Sequence, residues 1–345
     1  MRTILKIALL AIMAVACQKE EITIGTNVSD TFYLDNKGAS MRVLVEGNTA
    51  SGTFLVIVHG GPGGGAYIYN TDYISNHIED KFAVVYWDQR NAGASQGNNN
   101  GKNLTLSKMT NDLKKVIETL KARYGQNSEV FILGHSFGGM IAASFMTQDT
   151  LRSMVNGWIM ADASHNYPLN NRLTREMLLN LGREQMDANL NTEKWEPIIS
   201  WCLAHPSINT MEEAKKLESF ASDAENLFPE VKHIGFSDFT GLIVKEDWAV
   251  TSMLFNYLYS KHADINENLE KTGFSTLLYK INKPTLLLWG KYDFVCPSEL
   301  GTEIFNRIDT NEKQFVVSSK AGHAIMFQDP EFFCDKINTF IYRYR

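Results

Sequence analysis

The stretch VFILGHSFGG at residues 130–139 decides the fold. Its first four residues, Val130–Leu133, form a short apolar run of the kind that builds a buried strand, and Phe137–Met146 continues as a predicted helix. The turn between them carries Gly134-His135-Ser136-Phe137-Gly138, a Gly-x-Ser-x-Gly pattern. A serine at such a turn takes a strained backbone conformation, and flanking glycines avoid clashes with the neighbouring strand and helix. The alternative is an ordinary strand-to-helix turn, but the context favours a nucleophilic Ser136.

Apolar runs and helical patterns alternate on both sides of this stretch. Runs without polar interruptions are typical of strands that are covered on both faces of a mostly parallel sheet. The predicted strands are Phe54–Val58, Phe82–Trp87, Val130–Leu133, Val155–Met160, Thr285–Trp289 and Gln314–Val317, and the predicted helices include Ser107–Tyr124 and Glu331–Tyr342. Alternation of strand and helix builds right-handed βαβ units, so the sequence predicts a doubly wound α/β sheet.

The alternation stops in the middle of the chain, and this predicts a domain division. Residues 166–278 contain helical patterns such as Leu173–Leu181 and Met253–Leu258 without a convincing core strand. We therefore predict a core of residues 31–165 and 279–345, which opens with a hairpin, and a helical cap of residues 166–278 inserted over the strand ends. Residues 17–30 are predicted to be a linker.

A serine hydroxyl needs a general base and a group that orients the base. When the nucleophile is on such a turn, the chain order is serine, acid, histidine. Asp293 follows the predicted strand Thr285–Trp289, and His323 lies between the last strand and the last helix. Both positions fit a Ser136, Asp293 and His323 triad. Asp162, at the end of the strand after the serine, is the alternative acid.

An oxyanion formed by serine attack needs backbone N–H donors. One candidate is the N–H of Phe137. The other lies in the glycine-rich loop His59-Gly60-Gly61-Pro62-Gly63-Gly64-Gly65, where the backbone can approach a ligand closely. A phosphate-binding loop is the competing interpretation, but the Gly-Lys-Ser/Thr ending is missing and Pro62 removes one donor.

Three motifs together carry a resemblance to a family. The glycine-rich loop, the segment Asp88-Gln89-Arg90-Asn91-Ala92-Gly93-Ala94-Ser95 and the serine turn resemble the prolyl aminopeptidase (proline iminopeptidase) family of α/β-hydrolases. The resemblance covers about residues 31–165 and 280–345. It implies the α/β-hydrolase fold, an oxyanion hole from Gly61 and Phe137, and support of the site by His59, Gly60, Asp88 and Arg90.

The resemblance also implies that neither a metal nor an organic cofactor takes part. Related dehalogenases and epoxide hydrolases use an aspartate where Ser136 stands. Two departures from the family pattern concern Asn91 and the cap. Asn91 stands where the family usually has glycine, and asparagine also accepts the left-handed backbone angles that glycine takes. In better-known members of that family, a tryptophan-rich, glutamate-containing segment of the cap binds the substrate amine. The predicted cap of this chain resembles that segment only weakly, at Lys194-Trp195-Glu196 and Lys245-Glu246-Asp247-Trp248.

The first residues indicate export. Arg2 and Lys6 precede the apolar stretch Ile7–Ala16, which is too short to cross a bilayer. Because the stretch ends directly before Cys17, residues 1–16 resemble a bacterial lipoprotein signal peptide, which implies a lipid anchor on Cys17 in the cell envelope. Gln18-Lys19-Glu20-Glu21 is similar to a tag that sends some lipoproteins to the outer cell surface. An ordinary secretory signal with a chance cysteine is the alternative.

The charge and cysteine content of the chain limit the classes of partner and of covalent cross-link. A net charge of −6 without a dense basic run gives no footprint for nucleic acid. Cys202, Cys296 and Cys334 are widely spaced and odd in number, so they predict buried thiols and no disulfide framework. Residues 166–278 contain 17 acidic and 10 basic residues, a balance that attracts cationic groups or forms a solvated surface.

The sequence therefore predicts a serine hydrolase acting on a small peptide or ester. The preferred activity is an aminopeptidase that releases N-terminal proline or another residue from short peptides. A carboxylic ester or lactone hydrolase is the second candidate, and a non-catalytic binding lipoprotein on the same scaffold is a candidate from another class. The oligomeric state does not follow from the sequence.

Overall fold

The computed structural model describes residues 22–97, 104–234 and 268–345. Its strands are β1 (Val28–Asn36), β2 (Ala39–Gly47), β3 (Thr53–Val58), β4 (Ala83–Trp87), β5 (Gln96–Gly97), β6 (Glu129–Ser136), β7 (Gly157–Ala163), β8 (Thr285–Gly290) and β9 (Lys313–Ser318). Its longer helices are α1 (Leu106–Tyr124), α2 (Gly138–Met146), α3 (Tyr167–Asp187), α4 (Thr192–Ala204), α5 (Met211–Glu225), α6 (Glu299–Arg307) and α7 (Pro330–Tyr344). Short helical turns lie at Thr49–Ser51, Ala66–Tyr69, Asp72–Ile74, Ser75–Glu79, Asp149–Arg152, Ser275–Lys280 and Ile325–Gln328.

One sheet joins the strands in the order β1-β2-β4-β3-β6-β7-β8-β9, with β5 beside β2. The pairs β1–β2, β2–β4 and β2–β5 are antiparallel, and every other pair in this order is parallel. All residues of β3, β4, β7 and β8 are buried. The prediction of a mostly parallel sheet covered on both faces is therefore confirmed.

Two apolar layers cover the faces of the sheet, and β3 shows how the sequence divides between them. Phe54, Val56 and Val58 pack into the layer that contains α1, α2 and α6. Leu55 and Ile57 point the other way, into the layer that contains α7. Successive side chains of the strand alternate between the two faces, and both faces are buried. No position of the strand can therefore hold a polar group that lacks a hydrogen-bond partner.

The first hairpin begins earlier than the sequence predicted. β1 starts at Val28, inside the predicted linker 17–30, because Val28–Asn36 pairs along its whole length with Ala39–Gly47. The turn between the two strands has positive φ angles at Lys37 and Gly38.

Several predictions lie outside the described residues. They are the signal peptide of residues 1–16, Cys17, the tag Gln18-Lys19-Glu20-Glu21, the helical pattern Met253–Leu258 and the segment Lys245-Glu246-Asp247-Trp248. Within the described ranges no helix combines the length and apolar character needed to cross a membrane. Cys202, Cys296 and Cys334 are buried free thiols.

Helices α3, α4 and α5 follow β7 and precede β8, and they have an apolar cluster of their own. Trp195 of α4 is fully buried there, beside Leu178 of α3 and Leu217 of α5. Tyr292 and Phe294 join this cluster from the loop after β8. The helices thus pack against the loop that carries Asp293, which lies between these two aromatic residues in the sequence.

Candidate active site

Ser136 occupies a sharp turn between β6 and α2. Its φ is 53°, a left-handed value that side chains rarely adopt. A Cβ on Gly138 would overlap the carbonyl oxygen of Val58, and one on Gly134 would lie 3.0 Å from the Cβ of Ala142. The glycines on both sides of Ser136 are therefore required by packing, as the Gly-x-Ser-x-Gly pattern indicated.

Three residues that are far apart in the chain meet at this turn. The Nε2 atom of His323 lies 3.0 Å from the Oγ of Ser136. The Nδ1 atom of the same ring lies 3.1 and 3.2 Å from the two carboxylate oxygens of Asp293. With a neutral ring, Nδ1–H donates to Asp293 and Nε2 accepts the hydroxyl proton of Ser136, which is the arrangement needed for nucleophilic attack.

The carboxylate of Asp293 is itself fixed. It is fully buried, and its Oδ1 accepts the backbone N–H groups of Val295 at 2.9 Å and Cys296 at 2.7 Å. These two hydrogen bonds hold the carboxylate in one orientation towards the imidazole.

Asp162, the alternative acid, has another position. Its Oδ1 accepts the N–H of Gly290 at 2.8 Å, and its Oδ2 accepts the N–H of Ile325 at 3.0 Å. It thus joins the end of β8 to the segment after His323, and the structure places Asp293 against the imidazole. Burial and the charge of Asp293 raise the pKa of Asp162 well above its usual range.

Acidic groups dominate the surroundings of His323. Burial favours the neutral ring, but Asp293, through its charge and hydrogen bond, and the charges of Asp162 and Glu225 outweigh burial and raise the pKa of His323 to about 9. The carboxylates therefore stabilise the charged imidazolium relative to the neutral ring. The same effect requires a basic solution to keep the resting ring neutral.

The glycine-rich loop lies over Ser136. A Cβ on Gly60 would be 3.0 Å from the Cβ of Ser136, and Gly61 has a φ of 139°. Gly61 and Phe137 both line the pocket into which Ser136 opens. The two residues that carry the predicted oxyanion donors thus line the same pocket as the nucleophile.

Asp88 holds this loop against the next one. Its Oδ1 accepts the N–H of Ala66 at 2.8 Å, and its Oδ2 accepts the N–H of Ala94 at 2.9 Å. A Cβ on Gly93 would overlap this carboxylate. Asn91 has a φ of 57°, so the asparagine does take the left-handed conformation that its position requires.

His59 is a buried, neutral link in the same region. Its Nε2 accepts the backbone N–H of Gln89 at 3.1 Å, so the proton is on Nδ1, which donates to the carbonyl of Gly60 at 2.6 Å. Burial lowers the pKa of His59 and favours this neutral tautomer.

Arg90 points away from Ser136. Its guanidinium forms a buried, two-pronged ion pair with Asp112 of α1, which also accepts from the side chain of Asn36 at 2.6 Å. This arrangement anchors the segment after β4 to α1 and to the end of β1. Arg90 therefore supports the site only through the loop that contains Asp88.

A second network passes through His135, whose part in the site the sequence did not reveal. Its Nε2 lies 2.8 Å from the carbonyl oxygen of His323 and must donate, because a carbonyl only accepts. Its Nδ1 consequently accepts from the hydroxyl of Tyr69 at 2.7 Å, and the Tyr69 oxygen accepts the N–H of Gly60 at 3.0 Å. Burial, followed by the charge of His323, lowers the pKa of His135 to about 3 and keeps it neutral. The network joins the glycine-rich loop, the serine turn and the histidine loop.

The pocket beside Ser136 has a volume of about 130 Å³ as the described residues form it. Its polar walls come largely from the segment between β7 and β8, with Asn170, Asn171, Lys215, Glu218 and Glu270. The side chain of Asn171 donates to Glu270 at 2.6 Å. Burial raises the pKa of Glu270, the hydrogen bond from Asn171 opposes this rise, and the charge of Glu218 adds to it.

Asp293, Cys296 and His323 also form a cluster of groups that could ligate a metal among the described residues. The hydrogen bonds above already use Asp293 and His323. Burial, with nearby acidic charge, raises the pKa of the Cys296 thiol well above its usual range, and a protonated thiol is a poor ligand. The donor set does not fit a metal centre.

Comparison with known proteins places this site in a family. The sequence profile of a family described as alpha/beta hydrolase fold matches residues 53–330. The chain belongs to the alpha/beta hydrolase family. The matched range contains Ser136, Asp293 and His323, and it also contains the glycine-rich loop.

Several known proteins are similar to this chain at low sequence identity. A proline iminopeptidase of Saccharolobus solfataricus is 25% identical over 300 residues, which cover 83% of this chain and 84% of that protein. A Bacillus subtilis protein named "Probable aminopeptidase YbaC" is 20% identical over 86% of this chain and 91% of its own. An esterase structure from Exiguobacterium antarcticum has a TM-score of 0.61 and 19% identity, and the match covers 90% of this chain and 99% of that one. The last likeness concerns the fold.

Proposed function

We propose that this alpha/beta hydrolase is a serine aminopeptidase that releases the N-terminal residue of short peptides. The observation that carries the proposal is the contact of the Ser136 hydroxyl with His323 and of His323 with Asp293, beside a pocket with two carboxylates. The aminopeptidase names of the two curated relatives agree with this substrate class. Proline is the first N-terminal residue to test.

In the proposed reaction, Ser136 attacks the carbonyl carbon of the first residue while His323 takes the hydroxyl proton. The backbone N–H groups of Gly61 and Phe137 stabilise the oxyanion, and Asp293 stabilises the imidazolium. His323 then gives its proton to the nitrogen of the peptide bond. That bond breaks, and the shortened peptide leaves with a free amine. Water, activated by His323, hydrolyses the acyl-enzyme and releases the first residue.

The acidic pocket favours a peptide over a simple ester. Glu218 and Glu270 repel one another, and a free N-terminal ammonium placed between them would relieve that repulsion. Lys215 lines the same pocket and, like Glu218, is exposed, so solvent screens both of these charges, and the partly buried Glu270 is the stronger partner for the substrate amine. An N-terminally blocked peptide lacks the ammonium and should bind poorly.

Two measurements on the full chain test the proposal. A fluorophosphonate probe should label the wild-type protein and leave Ser136→Ala unlabelled, and failure to label folded wild-type protein would favour a non-catalytic binding protein. Aminoacyl-naphthylamides, including the prolyl compound, should be hydrolysed faster than short-chain p-nitrophenyl esters. Hydrolysis of esters or lactones alone would overturn the peptidase assignment in favour of an ester hydrolase.

We also propose that Cys17 carries a lipid anchor in the envelope of a bacterium, since residues 1–16 resemble a lipoprotein signal. Membrane fractions of cells should contain the wild-type protein, and Cys17→Ala should release it into the soluble fraction. Persistent membrane association of Cys17→Ala would contradict the anchor.

A further inference from the structure

A carboxylate from the inserted helices reaches the loop that carries His323. Glu225 is in the last turn of α5, and its Oε2 accepts the backbone N–H of His323 at 2.9 Å. A Cβ on Gly322 would overlap the carboxylate of Glu225, so the glycine leaves the space that this contact needs.

Gln328 completes the arrangement from the other side of the loop. Its side-chain oxygen accepts the N–H of Gly322 at 2.8 Å and that of Ala324 at 3.2 Å, and its side-chain amide donates to the Oε1 of Glu225 at 2.9 Å. The three consecutive N–H groups of residues 322–324 are thus held by two side chains that also bind each other. A loop without regular structure obtains from them a fixed backbone.

We propose that Glu225 is a positioning residue for His323, which it holds by its backbone and whose imidazolium it stabilises by its charge. The proposal rests on the proposed function, in which His323 is the general base. It assigns to the inserted segment a part in the proton transfer besides its part in forming the pocket.

The effect of the Glu225 charge on His323 can be separated from the effects of the other charges near the ring. Asp293 after β8, Asp162 at the end of β7 and neutral His135 on β6 face His323 together with Glu225. Burial and the charge of Asp293 raise the pKa of Glu225, but its two hydrogen bonds favour the ionised form. Removal of this one charge leaves the Asp293 contact in place and should lower the pKa of His323.

An exchange of the two side chains gives a matched set of variants. In Glu225→Gln the new amide group faces the amide of Gln328, donor against donor, and one charge is lost. In the double variant Glu225→Gln with Gln328→Glu, the acceptors for residues 322–324 and the bond between the two side chains are restored. The double variant gives up only the bond from Gln328 to the carbonyl of Lys232 at 3.3 Å. Asp223→Asn removes a charge from an exposed position on the same helix and is the control.

Two readouts test the inference in the full chain. NMR titration should give a lower pKa for His323 in Glu225→Gln than in wild type or Asp223→Asn, with a partial return in the double variant. Above about pH 9, where the His323 ring is neutral in every variant, the rate of labelling of Ser136 by a fluorophosphonate should fall by about tenfold or more in Glu225→Gln, because small misplacements of reacting groups are costly, and should recover in the double variant.

The outcomes distinguish this inference from the proposed function. If the pKa of His323 and the labelling rate in Glu225→Gln equal those of Asp223→Asn, the inference is overturned while the hydrolase assignment stands. If wild type is not labelled, the proposed function fails, and the NMR titration still decides whether Glu225 acts on His323. If Glu225→Gln does not fold, the double variant decides: its labelling rate should be close to that of wild type while the pKa of His323 lies below that of wild type and of Asp223→Asn, and an unchanged pKa would overturn the inference.

Discussion

At the scale of single residues, the site depends on one ring with two different neighbours. His323 contacts Ser136 through Nε2 and Asp293 through Nδ1, and three carboxylates raise its pKa to about 9. A general base works only in its neutral form, whereas the imidazolium is the form that the surroundings stabilise. The acidic surroundings therefore lower the transition-state energy and at the same time reduce the active fraction at neutral pH.

This balance predicts the pH dependence. Because the folded pKa of His323 is raised above 6.5, protons must leave the ring before it can act as a base, so the rate at which a fluorophosphonate without an amine labels Ser136 should rise with pH and level off above about pH 9. The labelling rate is measured at a series of pH values across this range, and circular dichroism at each pH checks that the protein is folded. A rate that is already constant above pH 6.5 would show that the carboxylates do not act on the ring in this way.

Asp293 and Asp162 should respond differently to the same substitution. Asp293→Asn should reduce kcat by about 10⁴-fold, because the amide favours the wrong tautomer of His323. Asp162→Asn places an amide donor against a backbone N–H and should lower the free energy of unfolding by about 1–3 kcal/mol. Its kcat should stay well above that of Asp293→Asn. Thermal unfolding and steady-state kinetics of both variants give the comparison, and the reverse order would make Asp162 the acid.

At the scale of elements, three loops at the carboxyl ends of parallel strands are joined by hydrogen bonds through two buried side chains. The loop after β3, the turn after β6 and the loop after β9 meet through Tyr69 and His135. The direction of each bond follows from the carbonyl acceptor at His323, so the network has one proton arrangement. Such a network fixes the distance between the oxyanion donors and the nucleophile.

Tyr69→Phe tests this network. Loss of the hydroxyl leaves the N–H of Gly60 and the Nδ1 of His135 without a partner, and kcat should fall about tenfold or more as the glycine-rich loop shifts. Tyr86→Phe is the matched control, because the buried hydroxyl of Tyr86 donates to Glu79 at 2.6 Å, away from the site. Both variants should lose stability, but only Tyr69→Phe should lose kcat. Equal kinetics in the two variants would show that the network is structural alone.

At the scale of the whole molecule, the core and the inserted helices supply different parts of one site. The strand ends carry the proposed catalytic residues, and the segment between β7 and β8 carries the carboxylates of the pocket and Glu225. In the proposed function the inserted helices thus take part in the choice of substrate and, through Glu225, in the positioning of His323.

Glu270→Gln tests the choice of substrate. The amide keeps the size of the side chain and an acceptor for Asn171, but it removes a charge that the proposed ammonium would meet. We expect KM for aminoacyl-naphthylamides to rise about 10- to 100-fold, as for loss of a charged hydrogen bond, and KM for uncharged esters to stay the same. Glu212→Gln, an exposed position on α5, is the control. An equal effect on both substrate classes would argue against amine recognition.

The sequence by itself determined the elements and the identities of the reacting residues to be tested. A buried strand needs a continuous apolar run, and a serine on a sharp turn needs glycines beside it, so Val130–Leu133 and Gly134–Gly138 carry these features locally. Strand order along the chain then predicted that Asp293 and His323 follow strands whose carboxyl ends lie at one edge. Asn91 was also interpreted correctly, because its left-handed φ is a local property of the backbone.

Only the tertiary structure decided which side chains touch. Whether Asp162 or Asp293 contacts His323 depends on the direction of each side chain at the ends of the neighbouring strands β7 and β8. The hydrophobic periodicity of the sequence does not specify that direction. The contacts of His135 with Tyr69 and of Glu225 with the loop at residues 322–324 join residues that are distant in the chain. Buried polar groups find their partners only when the sheet and the helices have packed, and the partners of such groups cannot be inferred from the local sequence.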